Sequence, residues 1–248
     1  MNKIVFRGLI LVLSIFAVYQ GLKEIPWTKW FGIDNKYVKI DKEVGDRLWE
    51  LIEKTEKISS DTNTMRIVDS IVNQLVVRNN LKQTRIIPHV IENIQVNAFA
   101  LPGGHLVVHS ALIEKVNSQE QLAGVLAHEI SHITEGHISK KLMKEFGIAI
   151  LTGTTGGGEG ARQILSFLSS RAYDRNLESD ADMHAVDLMH NAQIDPLGLS
   201  EFMEIMAESD LPTELDWIST HPSSEERAIE IKIRVSELPE IVYVDLKI

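Results

Sequence analysis

Three histidines and two glutamates lie close together in the stretch LAHEISHITEGHIS, residues 126–139. His128 and His132 are four residues apart, so on a helix both imidazoles project from one face and reach one ion. Glu129 stands beside them, ionised at neutral pH, while both imidazoles are neutral. This HExxH spacing predicts a zinc site at which the metal activates a water molecule and the neighbouring carboxylate accepts a proton.

Such a site needs a third protein ligand, and His137 is one candidate. It follows the second histidine by five residues, whereas the pattern HExxHxxGxxH has its last histidine six residues on. Glu135 stands where that pattern has glycine, and a continuing helix would turn His137 about 180° away from His128. We therefore expect His137 to pack or to hydrogen-bond near the site, and not to bind the metal.

A better third ligand lies in SRAYDRNLESDADMHAVDLM, residues 170–189, which has helical periodicity. Glu178 and Asp182 are four residues apart and share one face of that helix. Glu178 is predicted to bind zinc, while Asp182 accepts the proton of a ligating imidazole and fixes its tautomer. The alternative is a solvated acidic face that also includes Asp180. The HExxH pattern favours the ligand interpretation, because a His₂Glu site requires one such carboxylate.

The remaining sequence predicts the elements that position these residues. Amphipathic helices are predicted at residues 41–58, after an irregular connector at residues 27–38, and in DTNTMRIVDSIVNQLVV. The segments TRIIPHVIEN, IQVNAFA and LVVHS are typical of strands and predict a small sheet. Asn117 or Ser118 caps the helix that carries HEISH. We expect an α+β fold that is mainly helical, with a gluzincin-like metal site.

Composition restricts the class of protein. A chain of 248 residues with 44% apolar content buries enough surface for one large domain. The formal net charge of -10 argues against nucleic acid as a partner, because phosphate backbones require a basic surface. The chain has no cysteine, which excludes disulfides and cysteine ligands, so a metal must be held by histidine and carboxylate.

The N-terminal residues 1–23 have the composition of an export signal. Lys3 and Arg7 precede an uncharged run from Gly8 to Leu22, which is short for a membrane span of about 20 residues. Three interpretations stay open: an uncleaved anchor, a signal peptide cleaved after Ala17, and a buried helix. The first two export the rest of the chain, with the catalytic domain periplasmic or otherwise extracytoplasmic.

Four motifs together resemble metallopeptidase family forty-eight. HEISH, NAFALPGG, YDRNLESDAD and THPSSEER occur in the order expected of that family, over roughly residues 60–236. The family includes HtpX-type heat-shock proteases, CAAX prenyl endopeptidases, mitochondrial stress proteases and periplasmic proteases that monitor outer-membrane protein assembly. With one predicted anchor, the chain is most similar to the periplasmic members.

The resemblance implies a zinc site of His128, His132 and Glu178 with Glu129 as general base. It also implies a role for His221, in the HP motif, which either stabilises the oxyanion or occupies the open zinc position in a latent state. Arg175 is implied to orient Glu178 or the substrate, although from sequence alone it also fits a surface cation. The family usually has serine before this arginine, and Asp174 departs from that pattern.

The NAFALPGG segment suggests how a polypeptide is held. In HExxH peptidases an edge strand pairs with extended substrate through backbone hydrogen bonds. That strand is predicted to contain Asn97, Ala98, Phe99, Ala100 and Leu101. A plain β-hairpin would use the same residues. The following His105 is not needed as a ligand.

Two further segments carry weaker predictions. GTTGGGEG, residues 153–160, lacks the GK[ST] ending of a phosphate loop and is predicted to be a flexible connector or lid. The tail EIVYVDLKI alternates as a strand does and fits either an added edge strand or a partner contact.

The sequence thus predicts three parts: an anchor or signal peptide at residues 1–23, a connector and helix at 24–60, and a zinc metallopeptidase domain at 61–248. The predicted function is hydrolysis of peptide bonds in unfolded or misassembled envelope proteins, with one Zn²⁺ per chain. Two alternatives belong to other classes of protein. One is a chaperone-like assembly adaptor with a latent metal site, and the other is a non-catalytic metal-binding interaction module.

Overall fold

A computed structural model describes residues 33–146, 158–170, 173–208, 215–222, 225–244 and 246. The predicted anchor at residues 1–23 and most of the glycine-rich segment lie outside these ranges. The chain divides into two compact units, Met1–Lys39 and Ile40–Ile248. The second unit contains every predicted site residue and is the one described below.

Helices make up most of this unit. They are α1 (Ile33–Thr55), α2 (Thr62–Arg78), α3 (Ser110–Lys115), α4 (Gln119–Thr134), α5 (His137–Phe146), α6 (Gly158–Ser170), α7 (Arg175–Asn191), α8 (Leu197–Ala207), α9 (Leu215–Thr220) and α10 (Glu225–Glu237). The strands are β1 (Ile87–Ile91), β2 (Ala98–Ala100) and β3 (His105–His109). The predicted α+β, mainly helical class is confirmed.

The three strands form one sheet in the order β1-β3-β2. β3 lies in the centre, parallel to β1 and antiparallel to β2, with Phe99 opposite Val107. β2 is therefore an edge strand. A short 3₁₀ turn, Pro102–Gly104, connects it to β3, with Gly103 and Gly104 at positive φ. Gly104 needs that freedom, because a Cβ atom there would meet the carbonyl oxygen of Arg85 at 1.7 Å.

Alternating side chains of the sheet face two apolar cores. Leu106 and Val108 belong to the larger core, which the sheet shares with α2, α4, α7, α8 and α10. Val107 belongs to the smaller core, which is formed with α1, α5 and α6 through Leu48, Leu142 and Ile164. Helix α4 is buried from Gln121 to His132. A helix enclosed in this way holds polar groups only where other polar groups meet them.

Two glycines let α4 lie unusually close to α8. A Cβ atom on Gly124 would lie 2.7 Å from the Cα of Leu199, and one on Gly198 would lie 2.4 Å from the carbonyl carbon of Glu120. No larger side chain fits at either position without moving the backbone of the facing helix. The contact fixes the helix that carries HEISH against the larger core.

Some predicted boundaries were wrong. Helix α1 begins at Ile33, so residues 33–38 are helical where a connector was predicted. The tail forms no strand within residues 239–244; the amide of Val244 donates to the carbonyl of Gln193 instead. Within the ranges that the structure describes, no helix has the length and apolar character needed to cross a membrane.

Candidate metal centre

Helix α4 supplies the first three site residues. Ser118 caps the helix by accepting the amide hydrogen of Gln121, as the sequence predicts. His128, Glu129 and His132 follow on the buried part of the helix, and all three side chains are inaccessible to solvent. The Nε2 atoms of the two histidines lie 3.1 Å apart, so both imidazoles point at one place.

Helix α4 ends before His137. Gly136 has a φ of 65°, a left-handed conformation that turns the chain into α5. This break brings His137 back towards the site, and its Nδ1 lies 3.0 Å from the Nδ1 of His132. His137 therefore contacts the nitrogen of His132 that faces away from the other imidazole. It lies beside the site without entering the group of ligand atoms.

Helix α7 brings two carboxylates to the same place. Glu178 Oε1 lies 3.4 Å from His132 Nε2, and Glu178 Oε2 lies 3.6 Å from His128 Nε2. Asp182, one turn later, lies with Oδ1 2.9 Å from His128 Nδ1. Glu178 thus faces the two Nε2 atoms, whereas Asp182 faces the opposite nitrogen of one ring. That is the arrangement predicted for a ligand and for the partner that orients a ligand.

His221, just after α9, adds a fourth donor atom to the group. Its Nδ1 lies 3.2 Å from His128 Nε2 and 3.1 Å from Glu178 Oε1. Its backbone amide donates to the carbonyl of Trp217, which ties the residue to the end of α9. The side chain is buried, like the other three.

The four donor atoms have the spacing of a tetrahedral zinc site. Zinc–nitrogen and zinc–oxygen distances of about 2.0–2.1 Å place the ligands of a tetrahedron about 3.3 Å apart. The separations given above lie between 3.1 and 3.6 Å, with Glu178 Oε1 facing His132 and His221 and Oε2 facing His128, and one ligand atom from each of the four residues lies within 4.8 Å of the others. The residues present therefore fit Zn²⁺. A set that includes His221 would fill all four positions.

The charge around these atoms also suits a cation. Three buried carboxylates, Glu129, Glu178 and Asp182, lie at the site, and the guanidinium of Arg227 pairs with the last two of them. Burial disfavours the charged form of His128, but Asp182 and Glu178 outweigh it and raise its pKa to about 10. Burial likewise opposes ionisation of Glu178, yet the surrounding histidines hold its pKa well below the usual range. The excess of negative charge favours a divalent ion.

Glu129 is held between the sheet and His221. The backbone amide of Ala100 donates to Glu129 Oε2 at 3.0 Å, and Glu129 Oε1 lies 3.2 Å from His221 Nε2. Burial raises the pKa of the carboxyl, an effect that the histidines partly oppose. The carboxylate thus lies next to the ligand group without joining it, as a general base should.

Arg227, which was not predicted to belong to the site, fixes both carboxylates of α7. Arg227 donates to Asp182 from Nε at 2.7 Å and from Nη2 at 2.8 Å, and its Nη1 lies 2.9 Å from Glu178 Oε2. Arg175, for which an orienting role was implied, is exposed at the start of α7 and lines a cavity of about 370 Å³ beside Glu178. In the sequence, the sole sign of the role of Arg227 was its position within the motif THPSSEER.

Two aromatic rings enclose the histidines. Tyr173 stacks on His132 with the ring centroids 4.1 Å apart, and its amide donates to the carbonyl of Thr220. Trp217, fully buried, stacks on His221 at 5.3 Å. Neither ring was predicted to belong to the site, because stacking joins segments whose distance in sequence gives no signal.

The predicted edge strand lies beside this centre. The observed strand spans Ala98–Ala100, with Asn97 and Leu101 flanking it, and α4 packs against it. These residues are buried except for Phe99, which is partly exposed. The Oδ1 atom of Asn97 is buried without a hydrogen-bond partner. A peptide amide would satisfy that acceptor.

The fold and the ligand group indicate a metallopeptidase, and comparison with known sequences gives the same class of protein. Residues 63–235 match the sequence model of peptidase family M48, so the chain belongs to that family. The predicted resemblance, the metalloendopeptidase class and the gluzincin-like arrangement are confirmed. The family uses zinc, and a peptidase family implies polypeptide substrates.

The sequence identities to individual relatives are low. The chain is 27% identical to the beta-barrel assembly-enhancing protease of Yersinia pestis over 81% of this chain and 45% of that protein. It is 27% identical to the mitochondrial metalloendopeptidase OMA1 of Bos taurus, over 89% of this chain and 47% of the relative. It is 30% identical to metalloprotease YcaL of Escherichia coli K12, over 64% and 65%. The chain thus spans about half the length of the first two.

Proposed function

We propose that the chain is a zinc endopeptidase in which His128, His132 and Glu178 hold the metal and Glu129 is the general base. The observation that carries the proposal is the convergence of two α4 imidazoles and an α7 carboxylate at the spacing of a tetrahedral zinc site. Asp182 orients His128, and Arg227 fixes both carboxylates. When bound, the metal would act as a Lewis acid on a water molecule and on the scissile carbonyl.

The protein's own residues then handle the proton and the substrate. Glu129 accepts a proton from the attacking water and passes it to the leaving amine. The Ala100 amide holds Oε2, so Oε1 is the oxygen that faces the reaction centre. The edge strand, residues 97–101, pairs with an extended polypeptide through its backbone.

His221 gives the resting site a closed form. Its Nδ1 lies beside His128 Nε2 and Glu178 Oε1, where it would help to hold a bound metal, and admitting a substrate carbonyl would then require the side chain to rotate away. After rotation, His221 is positioned to donate a hydrogen bond to the developing oxyanion. The same observation supports the second candidate, an assembly adaptor whose metal site is latent.

We further propose that residues 1–23 anchor or export the chain, that residues 24–60 connect to the catalytic region at 61–248, and that the substrates are unfolded or misassembled envelope proteins. The periplasmic side of a membrane is the proposed location. The name of the Yersinia pestis relative, an assembly-enhancing protease, supports the class of substrate. The basic flank of the apolar run supports the orientation.

The test compares wild type with Glu129→Gln for zinc content and for cleavage of an unfolded protein. We expect the variant to retain zinc and to lose at least about 100-fold in kcat/KM, since general-base catalysis contributes that much. Glu135→Gln, an exposed carboxyl at the end of the same helix, is the matched control and should cleave normally. Undiminished cleavage by Glu129→Gln would refute the assigned role.

His221→Ala separates the candidates. If the histidine mainly keeps the site latent, the variant cleaves faster than wild type; if it mainly donates to the oxyanion, the variant cleaves more slowly; in both cases zinc is bound with lower affinity. A non-catalytic module would instead bind zinc through all four residues and cleave nothing in either form.

A further inference from the structure

A cationic pocket lies beside the metal centre, between α5 and the start of α7. It has a volume of about 470 Å³, and Lys140, Lys141 and Lys144 line it together with the aromatic rings of Phe167 and Tyr173. The chain as a whole carries a net charge of -10, so a pocket lined by three lysines differs from its average surface. A lysine-lined pocket with apolar walls is suited to an anionic group on an organic chain.

Lys141 distinguishes this pocket from a solvated lysine patch. Its side chain is only 9% exposed, whereas lysine is rarely buried in proteins. The ammonium lies 4.0 Å from the ring centroid of Tyr173 and 5.5 Å from that of Phe167, at cation–π distance from both. Burial lowers the pKa of Lys141 to about 8, although Glu178 and Glu129 oppose the shift. The geometry that matters for recognition is an ammonium at the base of the pocket with two aromatic rings beside it.

Tyr173 connects the pocket to the reaction centre. The ring that contacts the Lys141 ammonium stacks on His132 at 4.1 Å and on His221 at 5.4 Å. One side chain therefore separates the pocket from the ligand group. Successive residues of an extended peptide are about 3.3 Å apart, so a residue near the cleaved bond can place its side chain in the pocket.

The acidic groups at the pocket do not cancel its charge. Glu145 and Asp174 also line it, and both are exposed. Asp174 is already engaged, since it accepts the amide hydrogen of Asn176 at the start of α7. Lys140 and Lys144 are exposed at the rim, and the buried Lys141 lies deeper. The three lysines thus exceed the two acidic side chains that line the pocket by one charge, and Lys141 also feels Glu178 and Glu129 of the metal centre.

We propose that this pocket is a substrate subsite that binds a carboxylate of the polypeptide. The carboxylate belongs either to an aspartate or glutamate near the cleaved bond or to the C-terminus of the substrate. Lys141 forms a charge-assisted hydrogen bond to it, and the rings of Phe167 and Tyr173 pack on the adjoining methylene groups. The subsite rests on the proposed endopeptidase function and adds a preference for substrate charge.

The experiment uses quenched fluorescent peptides of one sequence, with glutamine or glutamate placed in turn at each position around the cleaved bond. A second pair ends in a free acid or an amide. We expect the full-length protein, loaded with zinc, to prefer glutamate at one position by about tenfold in kcat/KM, as one charge-assisted bond provides. A preference for the free acid would instead assign the carboxylate to the chain terminus. Either result supports the subsite.

Lys141→Met should bring the glutamate-to-glutamine ratio close to one, and Lys141→Arg should retain it. Lys82→Met, an exposed lysine on the loop before β1, is the control and should keep the wild-type ratio. If Lys141→Met fails to fold, as thermal unfolding would reveal, the double variant Lys140→Gln/Lys144→Gln serves instead. Both of those residues are exposed, and their removal should lower the ratio.

The outcomes separate the two proposals. If wild type cleaves the peptides without preferring an acid at any position or at the terminus, the subsite is wrong and the endopeptidase function stands. If Lys141→Met keeps the full preference, Lys141 does not form the subsite. If wild type cleaves no peptide while binding zinc, the endopeptidase function itself fails.

Discussion

Two histidine clusters in the described part of the chain differ in geometry. At the metal centre, the donor atoms of His128, His132 and His221 converge on one point. In the second cluster, beside the sheet, His89 Nε2 lies 2.8 Å from His105 Nδ1. Both clusters place imidazoles within hydrogen-bond distance, yet only the first has the form of a metal site.

The second cluster is a chain of contacts. His105 uses its two nitrogens in opposite directions, because Nδ1 faces His89 while Nε2 lies 3.0 Å from Asp46 Oδ1. Asp46 is already paired with Arg85 at 2.8 Å and with Lys42 at 2.7 Å. The two imidazoles do not point at one place, and the two cations, Arg85 and Lys42, outnumber the single carboxylate of Asp46. Convergence of donors together with excess negative charge, and not the number of histidines, identifies the metal centre.

The largest expected effect follows directly from that difference. His132→Ala removes one of the converging donors and should reduce bound zinc from one equivalent to almost none, with at least about a 100-fold loss of kcat/KM. His89→Phe, which preserves a ring for stacking on Trp49, should keep one equivalent. Metal analysis of the purified proteins decides the matter. Equal zinc loss in both variants would remove the distinction between the clusters.

The second largest expected effect is the loss of Arg227, compared here with the loss of Arg85. Arg227→Met leaves Glu178 and Asp182 buried without their cation, which should cost about 3–5 kcal/mol in the free energy of unfolding. It should also weaken zinc binding about 10–100-fold, as loss of the groups that orient ligands generally does. Arg85→Met breaks a partly exposed pair with Asp46 and should cost only about 0.5–1 kcal/mol. Denaturant titration with and without a chelator measures both, and similar costs would contradict the interpretation.

The smallest effect is a pH dependence of the second cluster. Burial, followed by the charges of His105 and Arg85, lowers the pKa of His89 to about 4. The unfolded chain binds this proton near pH 6.5, so stability is complete above that pH and falls as the pH drops towards 4. Because His89 is partly exposed, the loss should be on the order of 1 kcal/mol.

Urea titrations at pH 7.5 and pH 5 test this effect. Histidines that do not contact His89 contribute equally to wild type and to His89→Phe, so the variant should lose less stability between the two pH values. Identical losses would show that His89 does not titrate differently in the folded protein.

The sequence was sufficient to predict the part of the site that depends on helical spacing. His128, Glu129 and His132 share one helix, and Glu178 and Asp182 are one turn apart on another, so local periodicity places each set on a face. For the donor atoms on these two helices to converge as metal ligands do, the two helix faces had only to meet. The chemistry of a His₂Glu site gave a reason to expect that they do.

The rest depends on contacts between distant segments. Arg227 reaches carboxylates 45 and 49 positions earlier in the chain, and no spacing rule connects them. Tyr173 and Trp217 enter the site by stacking, which any aromatic residue brought there by the fold would do. Gly136 redirected His137 towards His132, a change that the assumption of a continuous helix could not foresee.

The close backbone approach at Gly124 and Gly198 has a consequence for how the enzyme opens. Because α4 and α8 pack so closely at these glycines, we expect α4 and its two imidazoles to stay in place when a substrate binds. Any rearrangement that admits a polypeptide must then come from the opposite wall, where His221 follows the short α9. In the proposed endopeptidase, the His221 side of the site is then the part that moves, and a compound that holds His221 in place would inhibit cleavage without binding the metal.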